Sequence, residues 1–86
     1  MPHSYREKHL TLGTPATYRI SVQGRINGSW SDRLSGMRIV THNPKEQTPV
    51  TTLVGRVRDQ AELMGVLNSL YELHLPLLSV EILNGE

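Results

Sequence analysis

Only one stretch of this sequence carries apolar residues at helical spacing; every other periodic stretch alternates. Leu63, Val66, Leu67, Leu70 and Leu73 recur every three or four positions, which at about 100° per residue gathers them into one stripe. Ahead of the stripe, Asp59 and Glu62 match a capping box, in which Asp59 accepts the N–H of Glu62 and the Glu62 carboxylate reaches back to the cap. Pro76, shortly after His74, stops the run, so the spacing predicts a single helix of about four turns. With one helix, only one face of any sheet the chain forms can be covered.

The alternating segments supply that sheet. From Thr17 onward, Tyr18, Ile20, Val22 and Ile26 interleave with Arg19, Ser21, Gln23 and Arg25, the period-two pattern of a strand with one apolar and one polar face. Met37 to Thr41 reads as a short second strand. Val50 to Val57, rich in β-branched residues, reads as the third, and Gly55 inside it marks a bulge or a close backbone approach. Leu77 to Leu83 alternates again, with Leu78, Val80 and Ile82 on one side and Ser79 and Glu81 on the other.

Asn27-Gly28 favours a reversal after the first strand, but the next alternation starts too late for a two-residue hairpin. Ser29 to Gly36 is therefore a longer loop, with a helical turn capped by Ser31 and closed by Gly36. The order β-β-β-α-β predicts a two-layer α+β fold: a four-stranded mixed, mostly antiparallel sheet with one helix packed on one face. Short links around the helix predict that the third and fourth strands run parallel through a right-handed crossover. Residues 17–83 form the single domain, residues 1–16 a flexible N-terminal tail with Leu10 and Leu12 as its one candidate for order, and 84–86 the C-terminal end.

Composition narrows the function classes. At 86 residues and 37% apolar content there is material for one core. The chain has no Cys, so disulfides, thiolate zinc sites and a thiol nucleophile are excluded, and the cytoplasm is the expected location. The first residues lack a secretory apolar stretch, and no window approaches the ~20 apolar residues of a membrane span. Residues 1–45 carry seven Lys/Arg against two acids, and residues 46–86 two against six, so the halves stand near +5 and −4 around a net +1. That dipole favours either an anionic partner or head-to-tail self-association.

Three constellations are candidates for function. Arg19, Arg25, Arg38 and Arg56 fall on the polar sheet face as a row of guanidinium groups suited to phosphates or carboxylates. The stacking aromatics of nucleic-acid sheets are missing, and there is no Phe at all, so nucleic acid is not favoured. Trp30, with Asp32 and Arg33, forms a candidate binding loop in the longest connection, or else Trp30 folds back as a lid on the core. On the helix, Ala61, Gly65, Asn68 and Glu72 lie opposite the leucine stripe. A small patch there lets another backbone approach, and Val40 and Val54 on the uncovered sheet face join it as candidates for self-association.

His3, His9, His42 and His74 lack metal-ligand spacing, and neither a Gly-x-Ser-x-Gly elbow nor a phosphate loop is present, so neither cofactor nor metal is expected. An enzyme would place its site near Trp30, with Asp32 or His42 as the titrating group.

Two stretches, Tyr18 to Gly24 leading to Trp30-Ser31-Asp32 and Gly36-Met37, and Thr52-Leu53-Val54-Gly55 leading to Asp59-Gln60-Ala61, Gly65-Val66-Leu67 and Leu75 to Val80, together resemble a widespread family of short, stand-alone, uncharacterised bacterial proteins. The resemblance implies that Trp30 and Gly65 belong to a shared pattern and that the segment before residue 17 is an appendage. It carries over no catalytic or binding residue. The sequence thus points to a small non-catalytic interaction domain that forms a homodimer or meets another protein. The alternative is an anion or nucleic-acid binder using the arginine face, and the third reading is a small enzyme.

Overall fold

The computed structural model describes residues 14–43, 45 and 47–85; the expected order at Leu10 and Leu12, and His3 and His9, lie outside them. Strand β1, Ala16–Gln23, buries Ala16, Tyr18, Ile20 and Val22 and turns Arg19 and Gln23 to solvent, as its alternation predicts. Strands β2 (Arg38–His42), β3 (Val50–Val57) and β4 (Leu77–Gly85) complete one sheet in the order β2-β3-β1-β4. The helix α1 spans Gln60–Glu72 between β3 and β4. The architecture is α+β.

The sheet is wholly antiparallel rather than mixed, because every ladder is antiparallel. Strands β3 and β4 do run in the same direction, but the chain leaving α1 crosses to the far side of β1 and does not pair with β3. With β1 in the centre, the most regularly alternating strand has hydrogen-bond partners on both edges, so its buried backbone groups are satisfied. Against expectation, β1 starts one residue earlier, at Ala16, β2 starts after Met37, and β4 runs on to Gly85.

Ile20, Val22, Leu53 and Val57 from the sheet meet Leu63, Val66 and Leu70 from α1, and Ile26, Leu34 and Met37 from the long connection close the core. Each fully buried aliphatic side chain contributes about 1.5–3 kcal/mol. The glycine in β3 is explained by Met37: a Cβ on Gly55 would lie 2.9 Å from Met37 Cγ and 3.1 Å from its Cα. This is the close-approach reading of Gly55, and the β1–β3 ladder runs through it without a register shift.

The connection between β1 and β2 folds as a 3₁₀ helix, Gly28–Leu34, capped by Asn27 rather than Ser31. The Ser29 N–H donates to Asn27 Oδ1 at 2.9 Å, while the Ser31 hydroxyl donates to the Met37 carbonyl and ties the turn to the start of β2. Ser35 and Gly36, both left-handed, end the turn. Buried Thr51 donates to the Gly24 carbonyl at 2.6 Å and shares a hydroxyl contact with Thr41, so the one buried polar side chain among the described residues is satisfied.

At α1, Asp59 accepts the N–H of Glu62 at 2.8 Å as expected. The Glu62 carboxylate reaches back one residue further than a capping box requires, to the N–H of Arg58 at 2.7 Å. Asp59 is fully extended, and the amide that meets the carboxylate is the one preceding it. The Arg58 backbone N–H holds the Glu62 carboxyl below its usual value; burial opposes this, and the Ser35 hydroxyl and the Arg58 charge add to it.

Two outcomes follow. Gly55→Ala forces Met37 and the start of β2 to shift and lowers stability by about 1–3 kcal/mol, seen as an earlier urea midpoint at unchanged slope. Glu62 has a depressed folded pKa, so its contribution is present above the ordinary value of 4.5 and is lost as pH falls through the lower folded value. Glu62→Gln is therefore less stable than the parent protein at pH 7. The gap closes on acidification below pH 4.5, as urea titrations across that range should show.

Candidate functional site

The candidate residues do not gather at one place. On the uncovered face, the register sets Arg38, Val54, Arg19 and Glu81 in one row across the four strands. Arg19 and Arg38 are exposed, with β3 and Val54 between them, so their backbones stand about 10 Å apart. Arg19 Nε donates to Glu81 Oε1 at 2.7 Å. Arg56 lies two positions along β3 from Val54 and has an interaction of its own, and Arg25 sits in the connection beyond β1.

Trp30 packs partly buried against the core, and the Arg33 guanidinium stands 5.0 Å from its ring centroid, a cation–π contact. Asp32 is exposed on the 3₁₀ helix and His42 is exposed at the end of β2. Ala61, Gly65, Asn68 and Glu72 form the solvent side of α1, where a Cβ on Gly65 would meet nothing within 4 Å. Val40 is exposed and Val54 half-buried on the open sheet face. Among the described residues no three His, Asp or Glu side chains converge as metal ligands, and no helix is long and apolar enough to cross a membrane.

The most conspicuous surface feature is one that the alternation reading of Leu77 to Leu83 did not anticipate. Strand β4 is an edge strand: among the described residues it pairs with β1 alone. Its expected buried side is not buried. Leu78 is 50% exposed, Val80 39% and Ile82 47%, with Leu77 and Leu83 exposed beside them.

Two causes are visible. The helix leans over β3 and the 3₁₀ helix and away from β4, so Val80 and Ile82, paired to Ile20 and Tyr18 of the core, stay half uncovered. The ladder also slips between Ser21 and Val22 and between Thr17 and Tyr18, which makes Leu78 and Leu83 the extra residues of two irregularities. The doublets Leu77-Leu78 and Ile82-Leu83 carried the signal, because neighbours along a strand point to opposite faces.

Edge strands are commonly guarded by charge. Glu81 is the sole charged residue of β4, and Arg19 holds its carboxylate toward β1. At the start of β4, Leu67, Leu70, Tyr71, Leu75, Pro76 and Leu77 line an open apolar groove of about 290 Å³, beside which Tyr71 is 79% exposed.

A family model matches residues 17–81, a span that runs from the second residue of β1 through α1 to Glu81 in β4. The chain belongs to the DUF8691 family, a domain of unknown function. No curated protein and no solved structure matches it. The DUF8691 match covers the central strand, the 3₁₀ helix and the edge through Glu81, so the Arg19–Glu81 pair falls within the family unit.

Because Gly65 faces open space in the middle of α1, Gly65→Ala should raise stability by about 0.5–1 kcal/mol. Thermal unfolding of the DUF8691 unit measures this. A substitution that instead changed the solution mass would mark Gly65 as a contact between chains.

Proposed function

We propose that this domain is a non-catalytic interaction module that self-associates through the outer edge of β4. The observation that carries the reading is the edge itself: a nine-residue strand with five exposed large apolar side chains and its single carboxylate turned toward β1 by Arg19. The outer edge of such a strand, without a partner among the described residues, offers main-chain N–H and C=O groups in a row, and another strand satisfies them while covering the side chains. The absence of cysteine fits a reducing cytoplasm as the place of action. Anion binding on the arginine face has weaker support, because the Arg19 Nε is already bonded to Glu81 and Val54 separates Arg19 from Arg38.

Light scattering at low and at moderate salt tests the proposal. The expected mass is twice the 9.7 kDa of the chain, independent of salt, with Val80→Lys reducing it to a monomer of unchanged circular dichroism. Leu83→Lys serves as a second variant at a side chain outside the core. A monomeric parent protein at high concentration, or a dimer indifferent to both substitutions, overturns the reading. A monomer whose β4 amides resist hydrogen exchange on both edges would show that some other segment of the chain occupies the strand.

A further inference from the structure

We propose that two copies pair β4 to β4, antiparallel, about a two-fold axis through Val80, so that Glu81 of each copy lies opposite Ser79 of the other and the sheet becomes eight-stranded. The inference rests on the self-association reading above and specifies its contact.

Symmetry limits the choices. A two-fold axis perpendicular to the sheet keeps the helices of both copies on the same side, so helix-side residues must meet helix-side residues. Val80 and Ile82 are helix-side, since they pair with Ile20 and Tyr18, both buried in the core. Ser79 and Glu81 pair with Ser21 and Arg19 and lie on the open side. The axis must then pass through a residue and not between two.

The ladder with β1 is regular only from Ser79 to Ile82, bounded by its two register shifts. Two axis positions keep three opposed pairs inside that run. An axis at Glu81 sets the two Glu81 carboxylates directly against each other, an arrangement that is destabilising in a sheet. An axis at Val80 sets Val80 against Val80 on the helix side and, on the open side, a Ser79 hydroxyl able to donate to the facing Glu81 carboxylate.

The Val80 register also accounts for the apolar surface around the edge. It brings Leu83 of one copy to Leu77 of the other, beside the groove lined by Tyr71, Leu75 and Pro76. Leu77, Leu78, Val80, Ile82, Leu83 and Tyr71 together expose on the order of 600 Å² per copy, so a symmetric contact can cover at most about 1,200 Å² in all, the size at which stable specific interfaces begin.

Because the chain has no cysteine, single substitutions introduce one thiol each and leave Glu81 in place. An equimolar mixture of Val80→Cys and Ile82→Cys chains is exposed to oxidised glutathione, which takes up the electrons of disulfide formation, and the products are separated by mass. Directly opposed residues have Cα atoms about 4.5–5.5 Å apart, within disulfide range, whereas residues two positions out of register do not.

The expected product joins two Val80→Cys chains. A product joining Val80→Cys to Ile82→Cys places the axis at Glu81; that overturns the register and leaves self-association standing, whereas a monomeric parent protein overturns both. Ser79→Glu gives a second reading. At the Val80 register it opposes two carboxylates at both symmetry-related positions and weakens dimerisation roughly tenfold. An unchanged dissociation constant overturns the register.

Discussion

One α-helix is about 10 Å across, and the outer strands of a four-stranded sheet lie about 14 Å apart, so a single helix cannot cover all four strands. The fold meets this limit asymmetrically. Leu34 and Met37, delivered by the 3₁₀ helix and the turn after it, fill the core beside β2 and β3, and α1 closes the middle through Leu63, Val66 and Leu70. Among the described residues, nothing comparable reaches β4. Its apolar residues stay half exposed because the covering layer ends before the sheet does.

That distribution explains which parts of the structure were legible in the residues. Alternation located β1 because it has a clear inside and outside, β-branched composition located β3, and the leucine spacing located α1. The strand order was not legible, since period and turn chemistry say nothing about which side of β1 the chain returns to. The caps were half legible: Asp59 acts as its residue type and position predict, while Asn27 displaced Ser31 because the 3₁₀ helix begins four residues before the turn that Ser31 would cap. Of the candidate residues, exposure at Arg19 and Arg38 follows from alternation alone, but the intervening Val54 and the Arg19–Glu81 bond emerge only once β3 and β4 flank β1. In β4, alternation grouped Leu78 with Val80 and Ile82 on one side, and the slipped ladder sets it apart from them.

The Arg19–Glu81 pair illustrates how little energy separates a guarded edge from an available one. Both side chains are about half exposed, so as a stabilising contact the pair is worth at most about 1 kcal/mol. Its larger effect is positional: a carboxylate that would otherwise project from the edge is bonded across the sheet face. The two irregularities at Leu78 and Leu83 limit the straight part of the edge to the four residues between them, which confines where a partner strand can align.

The central position of β1 also governs how the chain reaches this structure. Its ladder with β3 joins residues 27 to 41 positions apart, and Arg19 meets Glu81 across 62. The sole pairing between strands consecutive in sequence is β2 with β3, which leaves β1 waiting on both sides. Closing such long loops precedes any reward from the contacts, so folding should be slow for a chain of this size. Until β4 docks, the edge of β1 away from β3 keeps a row of unpaired backbone N–H and C=O groups, an open edge on the strand that ends in the middle of the sheet.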